Sequence, residues 1–247
     1  MPNIPDDYIL QSPILLILTI IFVTSLIRAT IGFGNALIAM PLLVLLTDIE
    51  IATPLVGYSS VLAAAYIFFR ERQNVDMRAS WQLILASCVG IPIGLFLLRQ
   101  TPEAIVHAIL GILLIVFGSY KLTEPQLPTL QWDGYAYFAG FVAGILGGAY
   151  NTNGPPIIIY GSLREWSPEQ FRATLQGYFL PASMLIFISQ GIAGLWTSEV
   201  LRLFAFSLPP IILATLLGEK LYRRIPRHLF ERVIHVALVV MGVLLVV

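Results

Sequence analysis

The chain has 247 residues, of which 57% are hydrophobic and only 11% charged, with 14 basic residues balancing 14 acidic ones. A soluble domain typically carries roughly 25% charged residues, so this composition excludes an ordinary water-soluble fold and points to a polytopic membrane protein. Zero formal charge, with no Lys/Arg block and no aromatic-basic interleaving, excludes a nucleic-acid partner.

In chain order, the opening MPNIPDDYIL is acidic and no small-residue cleavage pattern follows the first apolar run, so that run is expected to be retained. Long apolar runs occupy Leu10–Ile27, Pro54–Phe69, Trp81–Leu98, Ala104–Tyr120, Tyr135–Ala149, Leu175–Ile192, Leu203–Leu217 and Leu229–Val247. Each is near the length a helix needs to cross a bilayer. Two shorter runs, Ala36–Leu46 and Pro155–Leu163, follow glycine-rich breaks and are too short to cross; they read as half-helices. Cys88, the single cysteine, leaves no disulfide within the chain and no cysteine-based metal site; it reads as a small packing residue. No cofactor is expected.

The halves repeat. Gly32–Leu43 (GFGNALIAMPLL) has a counterpart in Gly147–Ile158 (GGAYNTNGPPII), and Gly57-Tyr58 in Gly177-Tyr178. The spacing of Gly94, Pro102 and Gly118 recurs in Gly218, Pro226 and Gly242. The predicted fold is therefore an all-α polytopic membrane protein in a single transmembrane domain, 1–247. It has eight long transmembrane segments plus two half-helices, in two inverted repeats of about four helices, 9–121 and 133–247.

If each half-helix turns back at its break, one membrane face collects Arg70, Arg72, Arg78, Lys121, Arg164, Arg172, Lys220, Arg223, Arg224 and Arg227, and the other has mainly Arg99. Positive-inside then makes the rich face cytoplasmic and puts both termini outside. A plain eight-span bundle would scatter these arginines over both faces.

Broken helices survive in hydrocarbon only where protein or a water-filled cavity satisfies their backbone, so two matching breaks predict a midplane site. Half-helix N-termini there offer free N–H groups and a partial positive charge to an anion. The first break supplies Gly32, Gly34 and Asn35; the second supplies Asn151, Thr152, Asn153 and Gly154 as neutral donors and a close backbone approach. Arg28, just before the first break, is read as a partner for the anion or as an interfacial cation that snorkels to phosphates. Tyr58 and Tyr178 share a repeat position beside a glycine and are candidate cavity residues. His107 and His235 follow Glu103 and Glu231 at helical spacing, and are read as helix-end pairs near the interface rather than proton relays. Glu219 reads as a terminal charge, and Trp81, Trp132, Trp166 and Trp196 as an interfacial belt.

The stretches Thr30–Leu43 (TIGFGNALIAMPLL) and Gly144–Leu163 (GILGGAYNTNGPPIIIYGSL) resemble the sulfite exporter TauE/SafE family of small duplicated permeases. The resemblance implies transport of sulfite, sulfonates or related organic and sulfur-containing acids across the bacterial inner membrane. Family members often carry a glycine cluster where this chain has NTNGPP.

The expected function is thus a secondary transporter of a small anion by alternating access, with a proton, an ion or the substrate gradient alone as driving force. The alternative is an anion channel with the breaks as its filter. No GxxxxGK[ST], GxSxG, HExxH or paired-aspartate motif is present, so neither ATP use nor an enzyme activity is expected.

Overall fold

The computed structural model describes residues 12–71, 75–123, 132, 134–164, 166–222 and 227–246. Arg72, Arg223 and Arg224 lie outside the described residues, as do the side chains of Arg70, Glu103, His107, Arg172, Arg227 and Glu231. The described residues form ten helices and no strand: α1 Ser12–Ile31, α2 Asn35–Val44, α3 Ile49–Glu71, α4 Met77–Gln100, α5 Glu103–Thr123, α6 Tyr135–Tyr150, α7 Gly154–Leu163, α8 Pro168–Ile192, α9 Ser198–Tyr222 and α10 Arg227–Val246. Among them, five carry a stretch long and apolar enough to cross a membrane: α1, α3, α4, α8 and α9.

Capping chemistry places several helix starts before the apolar runs. The Asp76 carboxylate accepts from Ala79 N at 3.0 Å to start α4. Ser167 accepts from Gln170 N at 3.2 Å, with Pro168 following, so α8 begins well ahead of Leu175. Pro54 lies inside α3 rather than at its start.

Helices pack as α4 on α6, α1 on α9, α5 on α10 and α3 on α8, with α8 also against α4 and α9 against α3. Exchanging the first five helices for the last five in order maps this set of neighbours onto itself. Glycines set the closest crossings. A Cβ on Gly94 of α4 would collide with the Ile145 carbonyl of α6, and one on Gly218 of α9 would lie 2.6 Å from Ala29 Cβ of α1. Where α5 crosses α10, Gly118 lies against the His235 carbonyl and Gly242 against that of Gly111. Close backbone approach is how helices gain contact area in lipid, where no hydrophobic force draws them together.

Two placements correct the sequence reading. Cys88 is exposed, on the outward side of α4 with Leu85 and Val89, and packs no core. His235 is 5% exposed, inside the α5–α10 crossing rather than at a helix end. The helix ends set the two breaks in a register of their own. Helix ends equate Ile31 with Tyr150 and Asn35 with Gly154, so Gly32 corresponds to Asn151, about one turn beyond its sequence-matched partner Gly147. Both residues take left-handed backbone, at φ 95° for Gly32 and 56° for Asn151.

Candidate functional site

The first break is short and strained in a way its glycines permit. Gly32 and Gly34 both hold φ at 95°, a region that carries a steric cost for residues with a Cβ. Gly32 N–H still reaches the Arg28 carbonyl at 2.6 Å, and α2 starts at once on Asn35. The result brings the last turn of α1 beside the first residue of α2, and Arg28 Nη1 donates to Asn35 Oδ1 at 2.7 Å.

Asn35 is oriented from behind. Its Nδ2 donates to Ser60 Oγ at 3.0 Å and reaches Ser59 Oγ at 3.4 Å, both on α3. Only the amide NH2 can donate to those hydroxyls while the oxygen faces a guanidinium, so the amide orientation is fixed. From α8, Gln176 Nε2 donates to the Gly32 carbonyl at 2.7 Å, and the Phe179 ring sits 5.3 Å from the Arg28 guanidinium carbon.

Arg28 is 4% exposed, Asn35 and Gln176 each 1%. Of the guanidinium, only Nη1 is engaged: Nε and Nη2 meet no hydrogen-bonding partner among the described residues. The Gln176 Oε1 and the Ser25 hydroxyl one turn before Arg28 are also buried and unpartnered. A buried cation with unpaired donors is unfavourable by several kcal/mol, roughly, unless an anion meets it. The free Nε and Nη2 groups form one edge of a planar fork, which fits two oxygens of one oxyanion. The interfacial, snorkelling placement of Arg28 is therefore replaced by an interior one.

The second break also comes up to Phe179. A Cβ on Gly154, the first residue of α7, would lie 3.9 Å from the Phe179 ring, and Tyr178 packs beside that ring. The Tyr178 hydroxyl is 2.9 Å from Ser87 Oγ, which donates to the Gly140 carbonyl at 2.7 Å, and Asn153 neighbours the same hydroxyl. Asn153 Nδ2 is buried and unpartnered. Thr152 folds back onto α6, its hydroxyl 3.4 Å from the Leu146 carbonyl.

Among the sequence candidates, Arg28, Gly32, Gly34 and Asn35 thus form one group, and Asn153, Gly154 and Tyr178 lie near it around Phe179. Asn151 turns to α3, its Nδ2 donating to the Thr53 carbonyl at 2.5 Å. Tyr58 lies elsewhere, stacked at 3.5 Å on Phe204 and edge-on to Phe187 at 4.4 Å. Glu219 accepts from the Tyr66 hydroxyl on α3. The sequence reading missed Gln176, Phe179, Ser59 and Ser60. A signal existed in α8: Gln176, Ser183 and Gln190 recur every seventh residue, so a single face of an apolar helix carries three buried polar residues.

The family described as Sulfite exporter TauE/SafE matches residues 17–245. A "Probable sulfite/organosulfonate exporter TauE" of Cupriavidus necator is 25% identical over 199 residues, 76% of each chain. A "Probable inner membrane transporter protein TsaS" of Comamonas testosteroni is 26% identical over 172 residues, 69% of this chain and 72% of its own. No solved structure matches. With the family match running nearly end to end, the chain belongs to the sulfite exporter TauE/SafE family, whose members are multi-pass membrane transporters and not enzymes.

Proposed function

We propose that this transporter is a secondary permease for a small oxyanion, sulfite, a sulfonate or a related organic acid, bound on the free edge of Arg28 and moved by alternating access. The observation that carries the reading is the buried guanidinium with two unpaired N–H groups. Asn35 and Gln176 complete the polar wall, and Asn153 and the N-terminus of α7 approach across Phe179. The family description and the name of the Cupriavidus relative support the substrate class.

The two-repeat architecture, 9–121 and 133–247, is part of this reading. Its support is the principal helix pairings, which are unchanged on exchanging α1–α5 with α6–α10, together with the left-handed residues at the two breaks. Eight crossings with two returning half-helices and both termini periplasmic follow from the arginine distribution, and the family and the name of the Comamonas relative support an inner-membrane location. Cysteines introduced at Lys121 and Thr197 test the topology: an impermeant thiol reagent added outside intact cells labels the second and not the first. Burial of Arg28, Asn35 and Gln176 to 4% or less favours an occluded carrier over a channel filter open to water.

The site is tested with purified protein and a panel of sulfite, methanesulfonate, acetate and chloride. Oxyanions raise the melting temperature saturably, chloride does not, and Arg28→Gln abolishes the response. An Arg28→Gln protein that folds and responds like wild type refutes the proposal.

A further inference from the structure

A second polar cluster lies apart from Arg28, between α3, the end of α6 and α8. Thr53 and Gly57 are one turn apart on α3, Asn151 caps the C-terminus of α6, and Gln190 is near the end of α8. Thr53 and Gln190 are fully buried and Asn151 is 5% exposed. The bond from Asn151 Nδ2 to the Thr53 carbonyl determines which end of that amide is nitrogen, and so turns Oδ1 the other way. That oxygen and Gln190 Oε1 converge beside Gly57: a Cβ placed there would be 3.5 Å from the first and 2.8 Å from the second. Thr53 Oγ1, Gln190 Oε1 and Gln190 Nε2 have no partner.

We infer that this cluster binds a small monovalent cation, with sodium as the representative ion. Asn151 Oδ1 and Gln190 Oε1 meet where residue 57 has no side chain, and the unpartnered Thr53 Oγ1 lies one turn earlier on the same helix. Neither end of the buried Gln190 amide has a partner, so the side chain can present Oε1 beside Asn151 Oδ1, and a bound cation would hold it that way round. Hard monovalent and divalent cations take neutral oxygens of this kind, whereas a dehydrated anion gains nothing from them. Asn151 also ends α6, so the partial negative charge of that helix terminus adds to the oxygens. Discontinuous helices offer anions their N-termini and cations their C-termini. Here the two roles fall on opposite sides of the second break, with α7 beginning towards Phe179 and α6 ending towards Gly57.

The cation site stands on its own geometry; its coupling to transport rests on the oxyanion reading. An empty carrier already holds the buried charge of Arg28, which opposes a second cation. An oxyanion on Arg28 neutralises it, so anion and cation each strengthen the other's binding, and by linkage the strengthening is equal in both directions.

The experiment is a melting-temperature titration of the purified full chain with sodium, lithium, potassium and choline chlorides at constant ionic strength, with and without sulfite. Sodium gives a saturable rise over choline, and its half-saturating concentration falls when sulfite is present. Thr53→Val and Gln190→Leu abolish the rise, while Gln190→Glu lowers the half-saturating sodium concentration by roughly tenfold, because a carboxylate adds ligand charge. An amide that only packs would give no such gain. Wild-type protein with no saturable response to any of the three alkali cations overturns the site. So does an unchanged response in Gln190→Leu, or, where that variant does not fold, an unchanged half-saturation in Gln190→Glu. Arg28→Gln separates the two readings: loss of the sulfite response with the sodium response intact supports both sites, and an intact sulfite response counts against the anion site alone.

Discussion

Replacing Arg28 with glutamine acts on binding and on stability through different terms. On the binding side, Nε and Nη2 are the donors left free for an anion, and a hydrogen bond to a charged group contributes roughly 1.5–3 kcal/mol. Losing both therefore weakens binding by at least about 3 kcal/mol, on the order of a hundredfold in Kd. On the stability side, the variant gives up the 2.7 Å bond to Asn35 and the contact with the Phe179 ring, together about 2–5 kcal/mol. It also removes an uncompensated interior charge, a relief of several kcal/mol by rough estimate. These two sums are comparable, so the ligand-free melting temperature stays near that of wild type while the response to sulfite disappears. Arg28→Lys retains the charge but not the fork, and falls between the two in affinity. Calorimetric titration with sulfite and methanesulfonate measures Kd, and a thermal melt without ligand measures stability. A Kd within threefold of wild type in a folded Arg28→Gln protein refutes the reasoning.

Asn151 tests backbone against side chain. Asn151→Gly keeps the left-handed φ and loses about 1 kcal/mol with the bond to Thr53, whereas Asn151→Ala also bears about 1–2 kcal/mol of left-handed strain, so alanine melts lower than glycine. Gly94→Val and Gly218→Val force the α4–α6 and α1–α9 backbones apart and destabilise by about 1–3 kcal/mol each, read as loss of folded protein in a detergent melt. Cys88→Ser, at an outward position, leaves both melt and transport unchanged within roughly 0.5 kcal/mol and supplies the cysteine-free background for labelling. The two repeat-matched tyrosines separate: Tyr178→Phe loses the bond to Ser87 and about 1 kcal/mol, while Tyr58→Phe keeps its ring stack on Phe204 and melts with wild type.

The helices were legible because hydropathy reports them directly. The ten runs read from sequence correspond one to one with α1–α10, and the two breaks fall where glycine and asparagine predicted them. Errors cluster at polar helix ends. The first turns of α8 carry Glu169, Gln170 and Arg172, which hydropathy counts as loop although Ser167 and Pro168 cap a helix there. The stripe of Gln176, Ser183 and Gln190 marks that face of α8 as turned away from lipid, but nothing local says that it meets Arg28, and nothing marks Phe179 at all. The meeting with Arg28 is a property of the packing of α8 on α3 and of the break between α1 and α2, and it becomes visible only once those elements are placed.

The register in which the helix ends align the two breaks bears on the site. Matching glycine to glycine paired Gly32 with Gly147, but the helix ends pair Arg28 with Gly147, Gly32 with Asn151, Gly34 with Asn153 and Asn35 with Gly154. At each of these four positions one half carries a polar side chain and the other carries none. Two identical arginine-bearing breaks would bring a second buried cation into the same interior, where like charges repel most strongly. Placing the guanidinium in one half and neutral amides in the other leaves a single free guanidinium edge beside Phe179. It also leaves amide oxygens free to face α3 near Gly57. Under the proposed transport of an oxyanion with a cation, the backbone of both breaks keeps a left-handed turn while the side chains divide the two charges between its sides.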